Sequence, residues 1–344
     1  MRGVLIVVAA GLLTACSSTR YIQIETYNPG EVTFPEHVGQ VLIVNNAVPQ
    51  PKDTGYTYEL FGEAQDACEI KADSALFVAC RELGEAIADA SYFNDVLLYH
   101  DAIQKDRVMY KEAPLTQEQV VALCEETGAD AVISLDRLLF DMEKSVSRLG
   151  GTYVIGTIEV QVAGIIRSYM PDREQPLATV HLRDSVYWAE SADYLPLLEQ
   201  ILPTSEEALE AAGQYVGAKA YAHFVPHWVN ESRWFFTAPG ARWKEATAYA
   251  SDERWDMAEE RWLALYRSTK GWKGRAKAAS NLALCHEMEG DLEEVHDWAS
   301  KSYDLFKQHA GEEAESTKLQ KLYMQVLSER IRSDAKLNMQ FGEE

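Results

Sequence analysis

The stretch YVIGTIEVQVAGIIRSYMPDREQPLATVHLRDSVYW, residues 153–188, decides what kind of fold this chain can adopt. Val154, Ile158, Val160, Val162 and Ile166 fall on one side of a run with a period of two, and Val180, Leu182, Val186 and Trp188 do so in a second run. That period is the signature of strands with one buried face, because successive side chains point to opposite sides. MPDREQP between them carries turn residues, so the two runs are expected to pair as a long antiparallel hairpin.

Upstream, strand and helix signals alternate. QVLIVN at 40–45 reads as a short, fully buried strand, and NNAVPQPKDTGY after it as a loop. From Ser74, Leu76, Phe77, Cys80, Leu83, Gly84 and Ile87 have the spacing of one helical face. A strand follows at Val96 to Tyr99, and Thr116 with Gln119 has the form of a capping box. It opens a helix with Val120, Val121 and Cys124 buried and Gly128 as its stop. ADAVISLDRLLF, residues 129–140, returns to strand, and Gly150-Gly151 reads as a hairpin turn. After the hairpin, Thr204 and Glu207 form a second capping box before a helix carrying Leu209, Ala212, Tyr215, Val216, Ala220 and Phe224. The order βαβαβββα predicts a mixed-sheet α/β domain, parallel early and antiparallel at the hairpin. That order is similar to the small α/β domains of envelope lipoproteins such as the curli-secretion lipoprotein, an analogy of fold that names no activity.

Past Trp228 the chain reads as all-α, so the fold class is α/β plus all-α. SNLALCHEMEGDLEEVHDWASKSYDL, residues 280–305, resembles one tetratricopeptide repeat, with Gly290-Asp291 at the turn. RWDMAEERWLALY, residues 254–266, resembles the second helix of another, Ala258 matching Val295. The spacing of 37 exceeds the usual repeat, and His286 and Val295 depart from the pattern, so the repeats are degenerate. A last helix over 313–338 would cap the stack. The resemblance implies that Lys277, Ser280, Leu284, Glu287 and Met288 line an inner face that holds a protein partner. The competing expectation is that Leu284 and Met288 are buried and the tail is a buttress. HWVNESRWFFTAPGARW, residues 227–243, packs Trp228, Trp234, Phe235, Phe236 and Trp243 at the domain junction, where they are expected to join the two domains.

The amino terminus, MRGVLIVVAAGLLTACSSTR, has one basic residue, Arg2, and an apolar run from Val4 to Leu13 that is too short to span a bilayer. Leu13-Thr14-Ala15-Cys16 resembles a bacterial lipobox, which implies cleavage before a lipidated Cys16. Ser17 after the cysteine implies the outer membrane, and the lack of an acidic cluster at 17–20 its periplasmic face. The expected division is a signal peptide at 1–15, a lipidated tether at 16–37, an α/β domain at 38–230 and a helical domain at 231–344. As a whole the chain resembles Bacteroidota outer-membrane lipoproteins with tetratricopeptide-like tails.

Thirty-two basic against 54 acidic residues, a net charge of −22, argue against a nucleic-acid partner, since phosphate binding needs concentrated Lys and Arg. The expected contacts are therefore the membrane through Cys16 and an unidentified protein. Of the other four cysteines, Cys68 and Cys80 are the most local disulfide pairing. Cys80, Cys124 and Cys285 lie on apolar helix faces and read as small buried hydrophobes. No cofactor or metal site is expected, since no Cys/His spacing resembles a zinc site. His223 and His227 have helical metal-pair spacing, but Pro226 interrupts it. His181, Asp184 and Ser185 supply triad residue types, yet Asp184 points to the other strand face. Asp136, Asp141 and Glu143 lack the glycine of a calcium loop. The expected function is a non-enzymatic protein-binding or scaffold module, with an envelope hydrolase sited in the α/β domain as the alternative. Replacing Cys16 with Ala should leave the precursor uncleaved and shift the protein out of the detergent-extracted outer membrane. Normal processing and membrane recovery of that variant would contradict the anchoring expectation.

Overall fold

The computed structural model describes residues 19–66, 69–104, 113–151 and 153–342. Cys16 and Cys68, with the lipidation and the disulfide expected of them, lie outside the described residues. The chain divides into two compact units, one of residues 28–227 and 336–344, the other of residues up to Tyr27 and Trp228–Ala335. They are called the sheet unit and the helical unit below.

In chain order the elements are β1 (Thr19–Asn28), β2 (Gln40–Asn45), β3 (Tyr56–Leu60), β4 (Glu63–Ala64), α1 (Asp73–Asp89), β5 (Asp95–Leu98), α2 (Gln117–Thr127), β6 (Ala131–Gly150), β7 (Tyr153–Tyr169), β8 (Ala178–Ala192), α3 (Leu195–Ile201), α4 (Ser205–Ala220), β9 (His227–Phe236), α5 (Ala241–Ser251), α6 (Trp255–Ser268), α7 (Trp272–Glu289), α8 (Leu292–Ala310) and α9 (Glu315–Gln340). The architecture is α/β followed by all-α, as the alternation predicts. Both capping boxes form: the Thr116 and Thr204 hydroxyls accept from the backbone of Gln119 and Glu207, whose side chains reach back.

The sheet unit is organised on β6. One of its edges takes β2 in parallel, from Val41 opposite Ala131 to Asn45 opposite Leu135, and then β3 in parallel, from Tyr56 opposite Met142. Its other edge takes β7 antiparallel, and β7 takes β8. The expected hairpin of β7 and β8 forms, and β6, which continues through residue 150 to the Gly150-Gly151 turn, extends it to a three-stranded meander. Between β2 and β3 the edge of β6 is closed by a side chain. Gln50 Nε2 donates to the Phe140 carbonyl at 2.9 Å and Gln50 Oε1 accepts the Phe140 N–H at 2.8 Å. Gly55, at φ +80°, allows the same close approach, since a Cβ there would stand 2.5 Å from the Phe140 carbonyl oxygen.

Helices cover both faces, as a largely parallel sheet centre requires. Val41 and Ile43 of β2 join a core with α1 and α4, while Leu42 and Val44 join a second core with Val120, Leu123 and Cys124 of α2. α4 lies directly on α1 because Gly213 and Gly217 present no side chain. A Cβ at Gly213 would come within 2.5 Å of the Ala75 carbonyl oxygen, and one at Gly217 would overlap that of Ala79. Two residues expected inside are outside: Phe77 of α1 and Tyr215 of α4 are each more than two-fifths exposed.

The expected tether at 16–37 is corrected by the structure. Residues 19–28 form β1, which pairs with β9, and Val32, Phe34 and Val38 are buried in the main core. Gln340 holds the start of that segment: its carboxamide accepts the Gly30 N–H and donates to the carbonyls of Gly30 and Val32. The expected boundary at 230/231 falls inside β9. The loop expected at 45–56 is irregular over 46–55 and ends on the first residue of β3, whose Tyr56 is buried but whose remaining residues face outward in part.

Gly217→Ala forces a methyl into the Ala79 backbone, and overpacking of this kind costs about 3 kcal/mol. Denaturant unfolding of the variant should show that loss with an unchanged m-value; unchanged stability would mean that α1 and α4 are not packed this closely.

Candidate functional site

The helical unit builds its most concentrated set of polar contacts around β9. Arg233, Trp234, Phe235 and Phe236 are all buried. Trp234 packs on Tyr323 of α9, Phe235 on Trp262 of α6 and Phe236 on Phe306 of α8, with ring centroids 5.5, 5.8 and 5.5 Å apart. Burial of three successive rings strips water from the backbone that carries them, so its N–H and C=O groups need protein partners. Asn281, in the middle of α7 and fully buried, supplies both. Its Oδ1 accepts the Phe236 N–H at 2.7 Å and its Nδ2 donates to the Phe236 carbonyl at 2.8 Å.

The residues expected to line a partner groove flank that clamp. Lys277 Nζ donates to the Thr237 carbonyl at 2.9 Å and stands over the Phe236 ring, and burial lowers its pKa. Glu287 accepts from Arg233 Nε and from the Tyr323 hydroxyl, each at 2.8 Å. Arg233 also meets Glu231 at 2.6 Å. Burial pulls the Arg233 guanidinium down, but the Glu287 and Glu231 carboxylates outweigh it and the net shift is upward. Burial first, then Glu287, raises the Tyr323 phenol well above its ordinary value.

Ser280 and Leu284 are buried and Met288 is half-buried against the core that holds Leu284. The expectation of an open groove formed by Lys277, Ser280, Leu284, Glu287 and Met288 is therefore corrected. The face exists, but β9 of the same chain fills it. The aromatics of 234–243 likewise pack within the helical unit's own clusters. The signal available in the sequence was Asn281 itself, a carboxamide in the apolar run Ala278–Cys285, where an unpaired polar group would be costly.

In the sheet unit two polar arrangements stand out. Asp136, buried on β6, accepts from Asn46 Nδ2 at 2.9 Å, Ser134 Oγ at 2.6 Å, Arg167 Nη1 at 2.6 Å and the Tyr169 hydroxyl at 2.9 Å. Gln104 donates to Asn46 Oδ1 at 2.8 Å, and burial, then the Asp136 charge, raises the Tyr169 phenol. The cluster ties β6, β7 and the end of β2 together, and each side chain in it already has a protein partner. The second arrangement is an open depression of about 670 Å³ on the outward sheet face, lined by Gln50, Asp141, Glu159, Gln161, Arg183 and Ser185 among others. It is framed by the tight 50–55 turn on one side and by β8 on the other.

The remaining candidates are dispersed. His181 and Ser185 sit opposite Ile165 and Gln161, whereas Asp184 pairs with Lys219 at 2.6 Å, and that hydrogen bond holds its pKa below the ordinary carboxylate value. His223 contacts Glu31 at 2.9 Å from a 3₁₀ turn, and His227 opens β9 with Nδ1 3.1 Å from the Val225 carbonyl oxygen. Asp136 is buried apart from the exposed Asp141 and Glu143. Among the described residues no group of three or more His, Cys, Asp or Glu is placed to hold a metal. Cys80, Cys124 and Cys285 are buried free thiols, and burial pushes the Cys80 pKa up to about 12.

Two family models match the chain. The one described as domain of unknown function DUF8603 matches residues 38–236, and the one described as domain of unknown function DUF6340 matches residues 244–329. No curated protein matches it. The first match ends on the last residue of β9 and the second begins inside α5.

Asn281→Ala strands the Phe236 N–H and C=O in a dry site. Each unsatisfied group costs about 1–3 kcal/mol, so calorimetry should show a loss of roughly 3 kcal/mol in the transition of the helical unit. A loss below about 0.5 kcal/mol, the range of ordinary surface substitutions, would show that water reaches Phe236.

Proposed function

The chain belongs to the DUF8603 family, and from that premise we propose that it is a lipid-anchored, non-enzymatic scaffold of the cell envelope. It holds a protein partner on the outward face of β6, β7 and β8. The observation that carries this reading is the open depression on that face. It offers both signs of charge, Asp141 and Glu159 beside Arg183, together with the neutral donors and acceptors Gln161 and Ser185. Such a mixed polar surface suits orientation of a protein partner more than tight capture of a small apolar ligand. The helical face that resembles a peptide-binding repeat is engaged by β9, so the partner is assigned to the sheet unit. Anchoring rests on the lipobox at Cys16, and the periplasmic side of the outer membrane on Ser17 and the residues after it.

The alternative is an envelope hydrolase using the same depression, favoured by the carboxylates of Asp141 and Glu159 in its lining. Asp184, which also borders it, is held below the ordinary carboxylate pKa by Lys219, the wrong direction for a general acid. A photoactivatable residue at Gln161 should yield a discrete protein adduct in intact envelopes, and the same residue at the exposed Leu322 should not. Absence of an adduct at Gln161, with loss of an envelope-degrading activity in Asp141→Asn/Glu159→Gln, would replace the scaffold reading by the hydrolase.

A further inference from the structure

β1 begins at Thr19, so three residue steps separate it from Cys16. At no more than about 3.6 Å per residue, the chain between them spans at most about 11 Å. β1 is fixed in the helical unit: Ile24 and Thr26 are buried, Gln23 Nε2 donates to Ser232 Oγ at 2.8 Å, and Thr26 Oγ1 donates to the Val229 carbonyl at 3.4 Å. Those two pairings run in opposite directions along the chain, which makes β1 and β9 an antiparallel ribbon. Arg20 Nη1 reaches Ser251 at 3.4 Å, so the end of the ribbon nearest Cys16 is tied to α5 as well. A lipid on Cys16 therefore brings this unit to the bilayer with almost no slack.

The outward positions of the ribbon are Tyr21, Gln23 and Glu25 on β1 and Trp228, Asn230 and Ser232 on β9. Tyr21 is 66% and Trp228 65% exposed, one near each end, and Tyr27 packs on Trp228 with ring centroids 4.9 Å apart. Glu25 is the single charge among those six positions, in a chain with 54 acidic residues. Tyr and Trp partition to the bilayer headgroup region, and a nearly uncharged strip avoids repulsion from anionic lipid. The ten-residue β1 extends roughly 33 Å. Only a ribbon lying along the surface brings the aromatics of both its ends to the headgroups.

We propose that the outward face of the β1–β9 ribbon is a membrane-seating surface, its partner the headgroup layer beside the lipidated Cys16, with Tyr21 and Trp228 as its two contacts. This rests on the anchoring reading of Cys16. The test uses the full lipidated chain in phosphatidylethanolamine–phosphatidylglycerol vesicles, with an environment-sensitive fluorophore on Asn230→Cys in a Cys68→Ser background. Asn230 neighbours Trp228 at the end of the ribbon farther from the anchor, where short tethering alone does not deliver it to lipid. Expected are a blue shift and quenching by headgroup-spin-labelled lipid, both lost in Tyr21→Ser/Trp228→Ser, whose thermal transition stays in place because both side chains are exposed. Vesicle-bound lipidated protein with an unquenched, unshifted probe overturns the seating surface while leaving anchoring intact. Quenching absent on vesicles, but a protein crosslinked at Asn230 in envelopes, assigns the strip to a protein and overturns it too. Absence of lipid on Cys16 overturns the anchoring reading and this inference with it.

Discussion

The carboxamide of Asn281, fully buried in α7, exchanges two hydrogen bonds with the backbone of Phe236, and the arrangement of the helical unit follows from that pairing. Without it, Trp234, Phe235 and Phe236 could enter their three clusters only by leaving a peptide unit dry and unpaired, which costs more than a typical net hydrogen bond returns. A primary amide matches a peptide group in having a donor and an acceptor side by side. The molecule uses the device again in the sheet unit. Gln50 closes the edge of β6 at Phe140, and Gln340 closes the 30–32 segment. All three carboxamides are buried; Asn281 and Gln50 stand where a strand edge has no neighbouring strand to pair with, and Gln340 does the same for an irregular segment.

The sheet unit was legible where local pattern and tertiary burial agree. The alternating runs of β7 and β8, the buried run of β2 and both capping boxes carry signals within a few residues. β1 and β9 were not legible as a pair because each supplies half of a ribbon. TRYIQIETYN alternates only weakly, and HWVNESRWFF ends in consecutive aromatics that face in different directions into separate clusters. Residues 46–55 were readable as a loop, but their function of closing β6 through one glutamine depends on Phe140, 90 positions away.

The helical face was legible as residue types and misassigned in role. Lys277, Asn281 and Glu287 do contact an extended peptide, through the carbonyl of Thr237, the backbone of Phe236 and the side chain of Arg233. Sequence pattern specifies that a helix presents such a face; it does not specify whether the segment that fills it comes from another chain. Occupation from within the chain turns a candidate docking surface into a clasp, and it explains the buried ion pair. The Arg233–Glu287 pair is tolerated in a dry core because each member has a further polar neighbour, the Glu231 carboxylate 2.6 Å from Arg233 and the Tyr323 hydroxyl that donates to Glu287.

β9 is a permanent part of the helical unit, held there by Asn281 and by its own buried aromatics. Native-state hydrogen exchange at the Phe236 amide measures this directly, since its N–H is held by Asn281 alone on the α7 side. This amide should exchange only with global unfolding of the unit, at the same free energy and denaturant slope as the central amides of α7. Exchange through a separate opening of lower free energy, with α7 still protected, would show that β9 leaves the groove and that the face is open to other peptides.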